Sequence, residues 1–196
     1  MIHHTFETRD TMIPKLILYM GGCCGDIVTG LIDTKGISIQ SGKCVMLKER
    51  AKLKRSFVFE NDAQKNTYIL SSGKHWKSLP THDTEFHLKQ KHEYIGITCK
   101  NKKVAIWCAE RFRNLHTPVV WERICKTISI TSTDEYAQTI IDFSDYIGTY
   151  AKHTLDIDDI IEGNAIEKLK EFTELDITST IMYSQWLESV VDNSSN

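Results

Sequence analysis

An apolar run from Lys15 to Met20 breaks into Gly21, Gly22, Cys23, Cys24 and Gly25, and the chain then resumes with helical periodicity from Asp26 to Asp33. No other stretch restricts the fold as strongly, because it specifies a strand, a tight glycine-rich loop and a helix in direct succession. Three glycines let backbone N–H groups converge on one point, and the helix that follows adds the positive end of its dipole there. Such a place favours an anion of the phosphate type. The candidate binding set is therefore Gly21, Gly22, Cys23, Cys24, Gly25, Asp26 and Ile27. The loop lacks the Lys-Ser/Thr pair of a standard phosphate-binding loop, and Asp26 stands where that pair would be. Asp26 has two readings, a magnesium ligand or nucleophile-orienting group, and a plain helix cap.

The rest of the pattern predicts an α/β domain. Ile37 to Leu47 alternates like a strand interrupted at Ser41-Gly42, and Lys48 to Phe57 is rich in helix formers. Asn66 to Leu70 reads as a short strand, followed by a turn from Ser71 to His75. Two apolar runs, Tyr94 to Cys99 and Val104 to Cys108, read as core strands on either side of the basic Lys100 to Lys103. From Thr133 the periodicity is helical, with Thr133 or Asp134 as the cap and Tyr136, Ile140, Ile141, Phe143, Ile147 and Tyr150 on one stripe. Further helices fit Ala165 to Leu175 and Ser179 to Val190, and Asp192 to Asn196 is expected to fray. Strands and helices early with helices late predict a mostly parallel sheet in a three-layer domain, covered by C-terminal helices. At 196 residues and 41% hydrophobic content the chain suits one domain spanning 1–196.

Charge is distributed unevenly. Residues 1–133 carry 21 Lys/Arg against 12 Asp/Glu, and residues 134–196 carry 3 against 14, so a basic body precedes an acidic helical section. Lys48, Arg50, Lys52, Lys54 and Arg55 put five cations into eight residues, a density that suits contact with a nucleic-acid backbone. Its ordinary alternative is a solvated helix face. The apolar runs are too short to span a membrane and the N-terminus lacks the plan of a signal peptide, so a soluble intracellular protein is expected. The six cysteines fit that expectation as reduced, mostly buried thiols. Adjacent Cys23 and Cys24 do not have redox-pair spacing.

In open α/β sheets ligands gather where strands end, so the residues after each expected strand are candidates for chemistry. After the run ending at Cys108 come Glu110, Arg111 and Arg113. Two arginines beside an anion loop supply forked donors for phosphoryl or sulfuryl oxygens, unless they are surface residues at a helix start. After Pro80 come His82 and Asp83, either of which can take a proton from an attacking hydroxyl, or simply form a turn. His82, His87 and His92 are spaced by five, which matches no zinc signature.

The glycine loop after the first strand, the later Arg111 and Arg113, and the ending from Leu155 to Ile161 followed by two helices and Trp186 resemble small P-loop kinase and sulfotransferase-like proteins of bacteriophages. Within that group the chain is most similar to the kinases that phosphorylate hydroxymethyluracil already in DNA. The resemblance implies a P-loop-like fold, a nucleoside triphosphate such as ATP, Mg2+, a DNA acceptor bearing a hydroxymethyl group, and the cytoplasm of an infected host. It implies catalytic roles for Asp26, Asp83, Arg111 and Arg113 and a metal at Asp26. Lys15, Arg111 and Arg113 become candidates to replace the missing loop lysine. A DNA kinase must expose its target base, and Trp76 beside Lys77 or Trp121 beside Arg123 would stack on it, although tryptophans also belong to cores. Two alternatives remain at this point: a metal-independent sulfotransferase, and a non-enzymatic accessory protein that binds nucleic acid or a host protein.

Overall fold

The computed structural model describes residues 15–32, 37–40, 43–46, 76–80, 93–177, 183–184 and 186–188. Its centre is a parallel sheet. Strand β1 (Lys15–Tyr19) pairs with β4 (Trp76–Pro80) on one side and with β5 (Glu93–Thr98) on the other, and β5 pairs with β6 (His153–Asp156). All three pairings are parallel, and Leu16, Ile17, Leu18, Ile95 and Ile97 are almost wholly excluded from solvent. Burial on both faces explains why these strands read as continuous apolar runs rather than alternating ones. Strands β2 (Ile37–Gln40) and β3 (Lys43–Met46) form a separate antiparallel pair, with Ser41-Gly42 between them as expected.

Helix α1 (Gly25–Ile32) packs on β1 and β4 and reaches α6 (Ala165–Thr173), which also meets β6. Helix α2 (Lys102–Asn114) packs on α4 (Thr133–Tyr150), which lies on β5. Two shorter helices, α3 (Pro118–Thr127) and α5 (Ile157–Ile161), complete the set up to α6. The molecule is thus a mixed α/β protein, mostly helical, around a parallel sheet. Gly96 brings α4 close to β5, because a Cβ there would lie 2.8 Å from Ile147 Cγ1.

The run from Val104 to Cys108, expected as a strand, is the first half of α2. Five apolar residues are too few to reveal a period. Over the whole helix Val104, Ala105, Cys108, Ala109 and Phe112 follow the spacing of one helical face, and Ala105, Cys108 and Ala109 are fully buried. The Asn101 side chain starts the helix by accepting from the Lys103 amide at 3.0 Å. Topology requires this helix as well, since β5 and β6 are parallel and a long crossover must join them. Strands β4 and β6 and helices α3 and α5 were not anticipated; β4 and β6 are short and partly polar, as befits positions at the ends of the described sheet.

The expected helix at Thr133 is α4, capped one residue earlier. Ser132 Oγ accepts from the Glu135 amide at 3.2 Å, and the Glu135 carboxylate turns back to the Thr131 amide and hydroxyl. This reciprocal arrangement is of the capping-box type and holds the Glu135 carboxyl below its usual pKa, chiefly through the Thr131 amide. Of the expected stripe, Tyr136, Ile140, Phe143 and Ile147 are buried, whereas Tyr150 is exposed. The regions assigned from sequence to the basic helix at 48–57, the strand at 66–70, the turn at 71–75 and the tail at 192–196 lie outside the described residues. Among those that are described, no helix is long and apolar enough to cross a membrane.

Candidate functional site

The chain goes from β1 to its neighbour β4 and then crosses β1 to reach β5, so the direction of winding reverses between β1 and β5. Ligand crevices in open α/β sheets form at the carboxyl end of such a switch point. The loop from Met20 to Gly25 occupies that place. The Cys23 amide donates to Met20 O at 3.1 Å, and Cys24 O accepts from the Ile27 and Val28 amides at 2.9 and 3.1 Å. Cys24 therefore caps α1, with φ of 59°, and Gly22 has φ of 89°. The cap position falls two residues before Asp26, which lies in the first turn of α1. The Asp26 side chain is outside the described set.

Each loop glycine has a steric reason. A Cβ on Gly21 would lie 2.3 Å from the Phe112 ring, one on Gly22 2.3 Å from Cys108 O, and one on Gly25 2.1 Å from the Tyr19 ring. Tyr136 Oη donates to Gly21 O at 3.2 Å, and its ring stacks on Phe112 with centroids 5.2 Å apart. The loop is pressed onto α2 and α4, and its glycines allow that approach. Thiols continue the contact: Cys108 neighbours Cys23 on one side and Cys99, just past β5, on the other; the Cys108 contact and then burial push the Cys99 thiol up, and the Cys23 contact with burial pushes Cys108 up against an opposing effect of Cys99. Cys23, Cys24, Cys99, Cys108 and Cys125 are all buried and outside any disulfide, in line with the reduced, mostly buried thiols expected.

Arg111 is the expected arginine that reaches the loop. Its Nη1 donates to Cys24 Sγ at 2.8 Å, and its guanidinium lies 5.6 and 5.7 Å from the Trp107 and Trp186 ring centroids. Arg113 is on the same helix but about 200° further round, and it is exposed, with Cys125 in its electrostatic reach. The two arginines do not converge, because they stand in the last turn of a helix and not on a loop after a strand. Lys15 is also placed away from the loop. It opens β1, so the strand's length of roughly 15 Å separates them, and it pairs with Glu93 at 3.8 Å.

Of the tryptophans assigned to base stacking, Trp76 is buried and Trp121 is partly buried against the core. Trp76 is 4% exposed with Lys15 over its ring, and Trp121 packs edge-on against Tyr136. Asp83, with His82, His87 and His92, and the basic Lys48, Arg50, Lys52, Lys54 and Arg55 fall outside the described residues. Among described residues no three His, Cys, Asp or Glu side chains group to hold a metal. The side chains of Asp26 and Asp83 lie beyond that set.

The sequence reading missed a second feature of the same edge. Where β5 and β6 end, a polar cavity of about 400 Å³ opens between α4 and the α5–α6 corner. Its floor is the pair Thr98 and Asp156, the last residues of adjacent strands, joined by a 3.1 Å bond from Thr98 Oγ1 to the Asp156 carboxylate. The only hint in the sequence was a glycine, Gly148, inside a helical pattern. The sequence matches no family model and no curated protein, and the structure matches no solved structure.

Proposed function

We propose that the protein is a phosphotransferase of P-loop-like, three-layer architecture, which binds a nucleoside triphosphate at the loop between β1 and α1 and passes its γ-phosphate to a hydroxyl. The observation that carries this reading is the meeting of a helix N-terminus, a glycine loop at the switch point and the Arg111 guanidinium, 2.8 Å from Cys24. Amides at the head of α1 favour phosphate oxygens, and Arg111 adds forked donors where negative charge gathers during transfer. In the transfer the acceptor oxygen forms a bond to the γ-phosphorus, the bond to the bridging oxygen of the diphosphate breaks, and the acceptor proton passes to a base. Asp83 is the base that the sequence offers. Magnesium, held by Asp26 in this reading, neutralises phosphate charge when bound.

The hydroxymethyl group of hydroxymethyluracil in DNA is the proposed acceptor. It is supported by the resemblance of the sequence to phage DNA-base kinases and by the basic stretch from Lys48 to Arg55. A sulfotransferase is the second reading, favoured by the lack of a Lys-Ser/Thr pair in the loop.

The test is incubation with γ-labelled ATP, magnesium and DNA containing hydroxymethyluracil, with thymine DNA as control. Label is expected in the modified DNA alone, lost in Asp26→Ala and reduced about a hundredfold in Arg111→Gln. Absence of both label and ATP binding by calorimetry overturns the kinase reading, and labelled sulfate donor then tests the alternative.

A further inference from the structure

We propose that the cavity at the ends of β5 and β6 is a binding site for a neutral, polyhydroxylated ligand of the sugar class. This inference does not rest on the kinase reading. Its first support is Gly148. This residue lies within α4, where glycine weakens a helix relative to alanine. Neither conformation nor packing requires it, since its φ is not positive and a Cβ built on it meets nothing within 4 Å. It is exposed and lines the cavity, to whose wall it adds no side chain. Gly21, Gly22, Gly25 and Gly96 are explained by close contact with protein, and this one is not.

The chemistry of the wall indicates what fits. The described lining consists of hydroxyl, carboxylate and ammonium side chains around Gly148, with no aromatic or aliphatic side chain, so no platform exists for a nucleobase or an apolar ring. Carboxylates outnumber ammonium groups there, and Lys168 is already tied to Asp159 at 2.6 Å. The Asp156 carboxylate accepts from Thr98 Oγ1 and, at 3.0 Å, from the Asp158 amide. The excess of carboxylate disfavours a phosphate or another anion. Ligand hydroxyls, by contrast, donate to carboxylate oxygens and accept from Lys100. The site also lies where open parallel sheets hold ligands, just beyond the carboxyl ends of two adjacent strands.

Binding of D-ribose and D-glucose, with ribose 5-phosphate as the anionic control, tests this by saturation-transfer NMR on the full chain without nucleotide. Both neutral sugars are expected to bind at millimolar concentration, and the phosphate ester about tenfold more weakly. Gly148→Leu, which fills the cavity, is expected to abolish binding. The double variant Lys100→Ala with Asp145→Ala changes two exposed side chains of the lining and leaves the fold intact; it is expected to weaken binding about tenfold. Failure of both sugars to bind, equal or tighter binding of the phosphate ester, or unchanged binding in the double variant overturns the proposal. ATP binding at the glycine loop, measured separately, is unaffected by any of these outcomes.

Discussion

The glycine loop and the β5–β6 cavity share one edge of one sheet, yet their glycines do opposite things. In the loop, Gly21, Gly22 and Gly25 disappear under Phe112, Cys108 O and Tyr19, and the backbone is held from behind by α2 and α4. Beside the cavity, Gly148 faces empty space. A glycine-rich motif is commonly taken to mark ligand contact. Here the motif is explained first by close packing. Unfilled room occurs instead at an isolated glycine that no motif would select.

The comparison is broken most directly at Gly22. Gly22→Ala forces a side chain against Cys108 O in a left-handed backbone, so a loss of about 3 kcal/mol or more is expected. Chemical denaturation measures it, and a loss below about 1 kcal/mol would mean that the loop can lift off α2. The matching change beside the cavity runs the other way. Gly148→Ala is expected to raise stability by about 0.5–1 kcal/mol through helix propensity alone. A loss there would place an unrecognised contact in the cavity wall.

The smallest effect concerns charge at the cavity's edge. Burial first, and then the neighbouring Asp156, Glu162 and Asp159, raise the Asp158 carboxyl above its ordinary 3.8. A raised carboxylate pKa means that the folded state prefers the protonated form, so this residue costs stability as pH rises through and above that value. Asp158→Asn is expected to add less than about 0.5 kcal/mol at neutral pH, because the group is largely solvated. It should add nothing at pH 3, which parallel melts at the two pH values will show.

The first strand, its loop and α1 were legible in the sequence because apolar run, glycines and helical period follow one another locally. The break at Ser41-Gly42 and helices α4 and α6 were legible for the same reason, although the antiparallel pairing of β2 with β3 was not. Helix α2 was not, since Val104 to Cys108 satisfies either period until the partner surfaces are known, and the error displaced Arg111 and Arg113 from helix to loop. Once α2 is a helix, only Arg111 faces Cys24. Lys15 failed as a loop cation because its place at the start of a strand fixes it at the far end of the sheet.

The sequence by itself determined the strand–loop–helix unit, the reduced thiols and the parallel character of the central strands, all of which depend on residue type and near-neighbour spacing. Only the tertiary structure decided what those residues touch. It brought Arg111 to Cys24 across 87 positions, joined Thr98 to Asp156 across 58, and left Gly148 beside a cavity. Contacts of that kind depend on strand order and helix facing, which non-local burial sets and no local pattern records.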